Sequence, residues 1–192
     1  MSPPLGIGWH PGSHFGYGVL GLRVSLEFAR SGLRQPVLLH DTEVPELHVN
    51  AFEKRLIQPV LNQHRHYREQ LKQYASVQLQ TDFPILHALS PDLATCLNTN
   101  LKSPKNFGFI FSENTKLPSN ALEHARLQNK ILAGSTWCAD HLKRSGVDNV
   151  HVWTQGVDTT VFCPGPRNDY FRDRFVIFSG GKLEFRKGQD LV

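Results

Sequence analysis

The sequence predicts an α/β fold, a Rossmann-like parallel sheet with flanking helices. Three observations carry this. Short apolar runs of strand length alternate with amphipathic stretches of helix length. A glycine-rich loop follows the first apolar run and opens the first amphipathic stretch. The chain has 192 residues, 40% hydrophobic and 20% charged, enough to bury a core without staples and outside the compositional range of disordered chains.

Leu5–Gly8 ends a short first strand, and the Gly/Pro/His/Ser loop 9–16 follows it. Gly18–Ser31 reads as a helix. Val19, Leu22, Leu26 and Ala29 share its apolar face, and Arg23 and Glu27 form an i,i+4 pair on the other. Gly32 is placed to stop it. Pro36–His40 is a buried strand. Leu47–Ser76 is helical, with Pro59 expected to kink or split it. Phe83–Leu89 and Asn106–Ser112 are further strands, Leu117–Asn129 is a helix with Pro118 in its first turn, and Lys130–Gly134 is a strand. Ser135 caps a helix reaching about Ser145, which Gly146 stops. Asn149–Thr154 alternates as a strand does, and Gln155–Asp158 is a turn. Residues 1–163 therefore form one domain, 164–173 a Pro/Gly/charge-rich linker, and 174–192 the opening of a second domain, beginning with a strand at Arg174–Gly180.

The net charge of +4 is spread along the chain with no run of five like charges, which argues against a nucleic-acid arm. It suits a phosphate-bearing or membrane-surface substrate. Cys96, Cys138 and Cys163 are far apart and odd in number, the opposite of a disulfide framework or zinc site, and they read as buried and inert. Neither a signal peptide nor an apolar run of spanning length is visible, so the expected location is cytoplasmic.

Gly16-Tyr17-Gly18-Val19-Leu20-Gly21 matches G-x-G-x-x-G, and Asp41 follows about 20 residues on, after a strand. Glycines at a helix start let a backbone approach an anion that the N-terminal N–H groups and dipole favour. A dinucleotide fingerprint needs the first glycine directly after the strand, and here the loop 9–15 intervenes. A phosphate or sugar contact is the leading reading, with a tight strand–helix connection and nicotinamide-dinucleotide binding as alternatives. Glu113 and Asn114 follow a strand whose end should face a cleft, and are candidates for acceptor or reaction-centre contact. An Asx turn is the competing role. His10 and His14 flank the glycine loop. His64 and His66, at i,i+2, do not share a helix face, so joint metal binding is not expected and a solvated face is. The run Gly181–Gly188 places Lys182, Arg186 and Lys187 between an apolar segment and a helical start.

The ordered series Ser135-Thr136-Trp137, Gly146-Val147, Gly156-Val157-Asp158-Thr159, Phe162, Pro164, Gly181-Lys182-Leu183 and Lys187-Gly188 resembles family 4 glycosyltransferases. These are GT-B enzymes with two Rossmann-like domains across a cleft. The resemblance implies transfer of a sugar from a nucleotide-diphosphate sugar to an acceptor hydroxyl with retention, without a cofactor or required metal. It implies donor-phosphate binding by Gly16, Gly18, Lys182 and Lys187, Lys182 standing where the family usually has arginine and lacking its bidentate fork. It implies that Asp158 fixes a turn. The acceptor is a sugar, polysaccharide, lipid or protein, with peripheral membrane contact and no nucleic acid among the expected partners. The family's acidic E-x7-E region does not occur in this chain, so the expectation is a fragment with weak or absent turnover. A non-catalytic acceptor-binding module, an inactive remnant and an NAD(P)-dependent oxidoreductase are the rival readings.

Overall fold

A computed structural model of the chain describes residues 2–43, 46–72, 77–96, 101–166, 170–178, 180–181 and 185–191. The chain forms two compact units, Met1–Gln155 and Gly156–Val192. The segment 164–173, the expected linker, lies inside the second.

The first unit is built on a six-stranded sheet. Its strands are β1 (Pro4–Ile7), β2 (Gln35–Leu38), β4 (Ile85–Ala88), β6 (Asn106–Ile110), β7 (Lys130–Ala133) and β8 (Val150–Val152), in the spatial order β2-β1-β4-β6-β7-β8. All five pairings are parallel. The Rossmann-like α/β class is therefore observed. Two short strands, β3 (Leu79–Gln80) and β5 (Leu101–Lys102), form a separate parallel pair.

Parallel sheets bury both faces, and side-chain alternation along the strands divides the core in two. Phe109 and Leu132 join Ile7, Leu86, Leu22 and Leu26 of α1 (Gly16–Ser31), and Ile57 and Val60 of α2 (Ala51–Leu71). Their neighbours Ile110, Ile131 and Ala133 join Ala121 and Ala125 of α3 (Ala121–Arg126), and Cys138, Ala139 and Leu142 of α4 (Thr136–Arg144).

Helix ends follow local chemistry. Gly32 closes α1 at φ 66°, its N–H donating to the Phe28 carbonyl. Ser135 caps α4 by accepting from Cys138 N at 3.1 Å. Asn50 caps α2 in a reciprocal box with Glu53: each side chain accepts the other's backbone N–H, at 2.9 and 3.0 Å.

Several expectations are corrected. Arg23 does not pair with Glu27. It reaches across to Glu53 on α2, while Glu27 takes Arg30 at 2.8 Å. The buried face of α1 is Gly18, Gly21, Leu22, Val24, Ser25 and Leu26, with Val19 half-exposed, because the two glycines bring the helix close under the preceding loop. Pro59 does not split α2. The buried side chains Ile57 and Val60 hold the helix on either side of the lost hydrogen bond. The helix expected at Leu117–Asn129 shrinks to Ala121–Arg126: Pro118 to Asn120 form turns that hand their carbonyls to Ala121 and Glu123, and Gln128 N closes the end on Ala125.

In the second unit, the described residues of the expected strand Arg174–Gly180 form no strand, and Ser179 lies outside them. Phe175, Val176, Ile177 and Phe178 are exposed and unpaired as a ladder, since a parallel strand needs neighbours and the unit has none among its described residues. The unit contains 3₁₀ turns at Phe185–Lys187 and Gln189–Leu191. No helix among the described residues is long and apolar enough to cross a membrane.

Phe109 is fully buried and meets the rings of Phe111 and Trp153 edge-on, at 4.7 and 4.9 Å. Phe109→Ala is expected to cost about 3–5 kcal/mol in urea unfolding. Asn50→Ala, losing only a cap, should cost about 1 kcal/mol.

Candidate functional site at the carboxyl edge of the sheet

The chain runs from β1 outward to β2, and from β4 the other way to β6. The strand order therefore reverses between β1 and β4, and their carboxyl ends leave the crevice where open α/β sheets gather ligands. The loop 8–15 and the first turn of α1 occupy it.

Two aromatic residues fasten this loop. Trp9 is buried and donates from Nε1 to the Tyr17 carbonyl at 2.7 Å. The Tyr17 hydroxyl sits among three backbone groups at the ends of β4 and β6. It lies 3.2 and 3.4 Å from the Leu89 and Phe109 carbonyls and accepts from Phe111 N at 3.3 Å. Burial pushes its pKa up to about 12, so it stays a neutral donor.

The fingerprint glycines have three different surroundings. A Cβ on Gly16 would meet nothing within 4 Å. A Cβ on Gly21 would lie 2.7 Å from Trp9 Nε1, so this glycine exists for the buried indole. Cβ atoms on Gly12 and Gly18 would collide with the two carboxylate oxygens of Glu43. Glu43 N donates to the Pro11 carbonyl and Gly12 N to that of Gly18, both at 2.9 Å. The glycine cradle thus holds a carboxylate of the chain itself, and Glu43 Oε2 is buried there without a hydrogen-bond partner among the described residues. Helix α1 has no acidic residue in its first turn, so its positive end is not neutralised from within.

Asp41 is already committed. It takes Arg68 at 2.7 Å and His64 Nε2 at 3.1 Å. Burial raises its pKa, but the His64 hydrogen bond and the Arg68 and His64 charges outweigh that and hold the carboxyl below its usual range. His64 also meets the Leu38 carbonyl through Nδ1 at 2.7 Å. It is therefore part of the interior, which corrects the expected solvated face. His66 is exposed and packs against Tyr67.

His10 spends Nδ1 on the Asp41 carbonyl at 2.8 Å, and His14 meets the His48 ring edge-on at 4.8 Å. His40 has its pKa pulled down to about 4, first by burial, then by His10, His64 and His87, with Asp41 pulling the other way. His87 is also lowered by burial, against a hydrogen bond to Asn106 at 3.0 Å.

Glu113 and Asn114 lie in the exposed loop following β6, beside this crevice. Asp92, not singled out in the sequence, organises the turn after β4. It is bonded by Ser90, by Asn120 at 3.1 Å and by His124 at 3.3 Å. Asp158 fixes its turn by accepting from Thr160 N and Oγ1, at 2.9 and 2.6 Å. In the second unit, Lys187 is exposed and ends a 3₁₀ turn, followed by Gly188 at φ 63°. Lys182 lies outside the described residues. Cys96 and Cys163 are exposed and only Cys138 is buried, a further correction. No group of three metal-ligating side chains occurs among the described residues.

The glycines respond differently to alanine. Alanine in a helix gains about 1 kcal/mol over glycine, but at Gly21 it collides with a rigid buried indole. Gly21→Ala should lose about 1–3 kcal/mol net, partly restored in Trp9→Phe/Gly21→Ala. At Gly18 the obstacle is the tip of a flexible glutamate, so Gly18→Ala should leave stability unchanged or raised. Chemical denaturation of the three variants tests this.

His40 supplies a pH signature. Its folded pKa of about 4 lies below the ordinary 6.5, so its contribution is complete above pH 6.5 and is lost as the pH falls toward 4. The urea midpoint of His40→Phe should decline less over that interval than that of the unaltered protein.

No protein-family model, curated protein or solved structure matches this chain.

Proposed function

We propose that the chain is the acceptor-side part of a retaining, nucleotide-sugar-dependent glycosyltransferase of GT-B architecture, joined to the first donor-site residues. One observation carries the reading: a glycine loop opens α1, with space around Gly16, at the strand-order reversal of a parallel sheet. That is where a helix N-terminus can receive a phosphate. The series from Ser135 to Gly188 supports it, with the serine cap of α4 and the Asp158 turn both formed.

On this reading the donor diphosphate approaches Gly16 and Gly18. The Glu43 carboxylate, at the end of a flexible side chain, swings off Gly18 to admit it. By the resemblance, Lys182 and Lys187 carry the charge that builds on the departing diphosphate. Lysines and backbone then do what a bound cation does in metal-dependent transferases. Glu113 and Asn114, after β6, face the acceptor hydroxyl. The oxidoreductase alternative is weaker, because the Asp41 carboxylate that would take the ribose hydroxyls is held by Arg68 and His64.

Isothermal titration with UDP, GDP and ADP tests the reading. At least one should bind, and Lys187→Ala should weaken it about tenfold, the loss of one charge-assisted hydrogen bond. Unchanged nucleotide binding in Lys187→Ala would remove the donor-site assignment. NADH binding that Asp41→Ala abolishes would favour the oxidoreductase.

A further inference from the structure

A second cleft runs along the outer side of β2 and reaches His10 of the loop 8–15. It has a volume of about 830 Å³ and is bounded by β2, the carboxyl half of α2 and the segment from β3 to Phe83. Ligand pockets of small molecules fall in the range of roughly 300–1,000 Å³ and join apolar walls to a few convergent polar groups.

Its walls have that composition. Val37, Leu39, Leu79, Phe83 and Leu101 supply apolar surface. At one end stand His10, His40, Asp41, His64 and Arg68. Donors exceed acceptors there. Both Asp41 oxygens are taken, Oδ1 by His64 and Arg68 and Oδ2 by Arg68. His40 Nε2 is buried and has no hydrogen-bond partner among the described residues. Arg68 carries five donors and is half-exposed.

The free edge of β2 is a poor seat for a peptide strand. Gln35 N and Leu39 N donate to β1, so alternation turns positions 36 and 38 outward. Pro36 has no N–H, and the Leu38 carbonyl is taken by His64. Edge pairing is thereby blunted, and the space beside it suits a small molecule. A dianion would face two lining carboxylates, Asp41 and Asp82. A single carboxylate matches the planar fork of Arg68.

We propose that this cleft binds a small amphipathic carboxylate, its apolar body between Val37, Leu39, Leu79 and Phe83 and its head at His40 and Arg68. The proposal does not depend on the transferase reading and uses none of its residues.

The test is titration of the whole chain with 2-naphthoate, followed by amide chemical shifts. Saturable shifts are expected at residues 37–40, 64–68 and 79–83, with a dissociation constant below about 1 mM. Acetate, which has the head without the body, and inorganic phosphate should leave those amides in place. Arg68→Ala, on an exposed stretch of helix, should weaken binding about tenfold by removing the charged donors. Leu79→Trp, filling the cleft from the short strand, should abolish it, and Lys187→Ala should change nothing. Shifts that do not saturate, equal shifts with acetate, or naphthoate binding untouched by Arg68→Ala would overturn the proposal. If Leu79→Trp does not fold, Arg68→Ala and the acetate comparison decide the matter alone.

Discussion

Trp9 and Tyr17 bind the start of α1 to the carboxyl edge of the sheet, and the crevice takes its shape from that joint. The indole N–H of Trp9 holds the Tyr17 carbonyl, and the Tyr17 hydroxyl meets backbone groups beyond β4 and β6. Three separate strand ends are thus referred to one helix turn. Gly21 is required by the same joint, since it lets the indole lie against α1. A G-x-G-x-x-G pattern here serves two masters. Its third glycine answers to packing, and its first lies open at a helix N-terminus.

The polar chemistry of this edge is mostly internal. Asp41 is consumed by α2, Asp92 by the turn after β4, and the Gly12–Gly18 cradle by Glu43. An anion entering the cradle competes with a carboxylate already there, and the competition is mild because a glutamate tip moves at little cost while a backbone or a buried ring does not. The proposed donor contact at Gly18 thus requires one side chain to rotate, and no shift of the sheet.

The two halves of the first unit differ in how they are covered. Around β6, β7 and β8, helices α3 and α4 close one face with alanines and a cysteine small enough for close approach. At the β2 end the sheet stops at a strand whose outer edge is only partly covered, by the carboxyl half of α2 and the detached pair β3–β5. The cleft lies between this strand and β3, which pairs with β5 and stands outside the main sheet. Its polar end joins the Arg68 guanidinium to a histidine cluster that burial keeps neutral at His40.

Local chemistry alone determined a good part of this. Ser135 at the head of α4, Gly32 and Gly146 at positive φ, and the six apolar runs of the main sheet are readable because caps, left-handed glycines and short β-rich runs depend on nearest neighbours. The Asn50–Glu53 box was equally open to reading, since its two residues stand three apart and each accepts the other's backbone N–H. What tertiary structure decided is every partnership across sequence distance. Arg23 prefers Glu53 to Glu27, His64 turns inward to Asp41 and Leu38, and Glu43 comes to lie on Gly12 and Gly18, because the packing of α1, α2 and β2 brings those groups together. The segment Phe175–Phe178 makes the same point from the other side. Its residues favour a strand as strongly as those of β6, but a strand is a pairing, and its own composition cannot supply the neighbour.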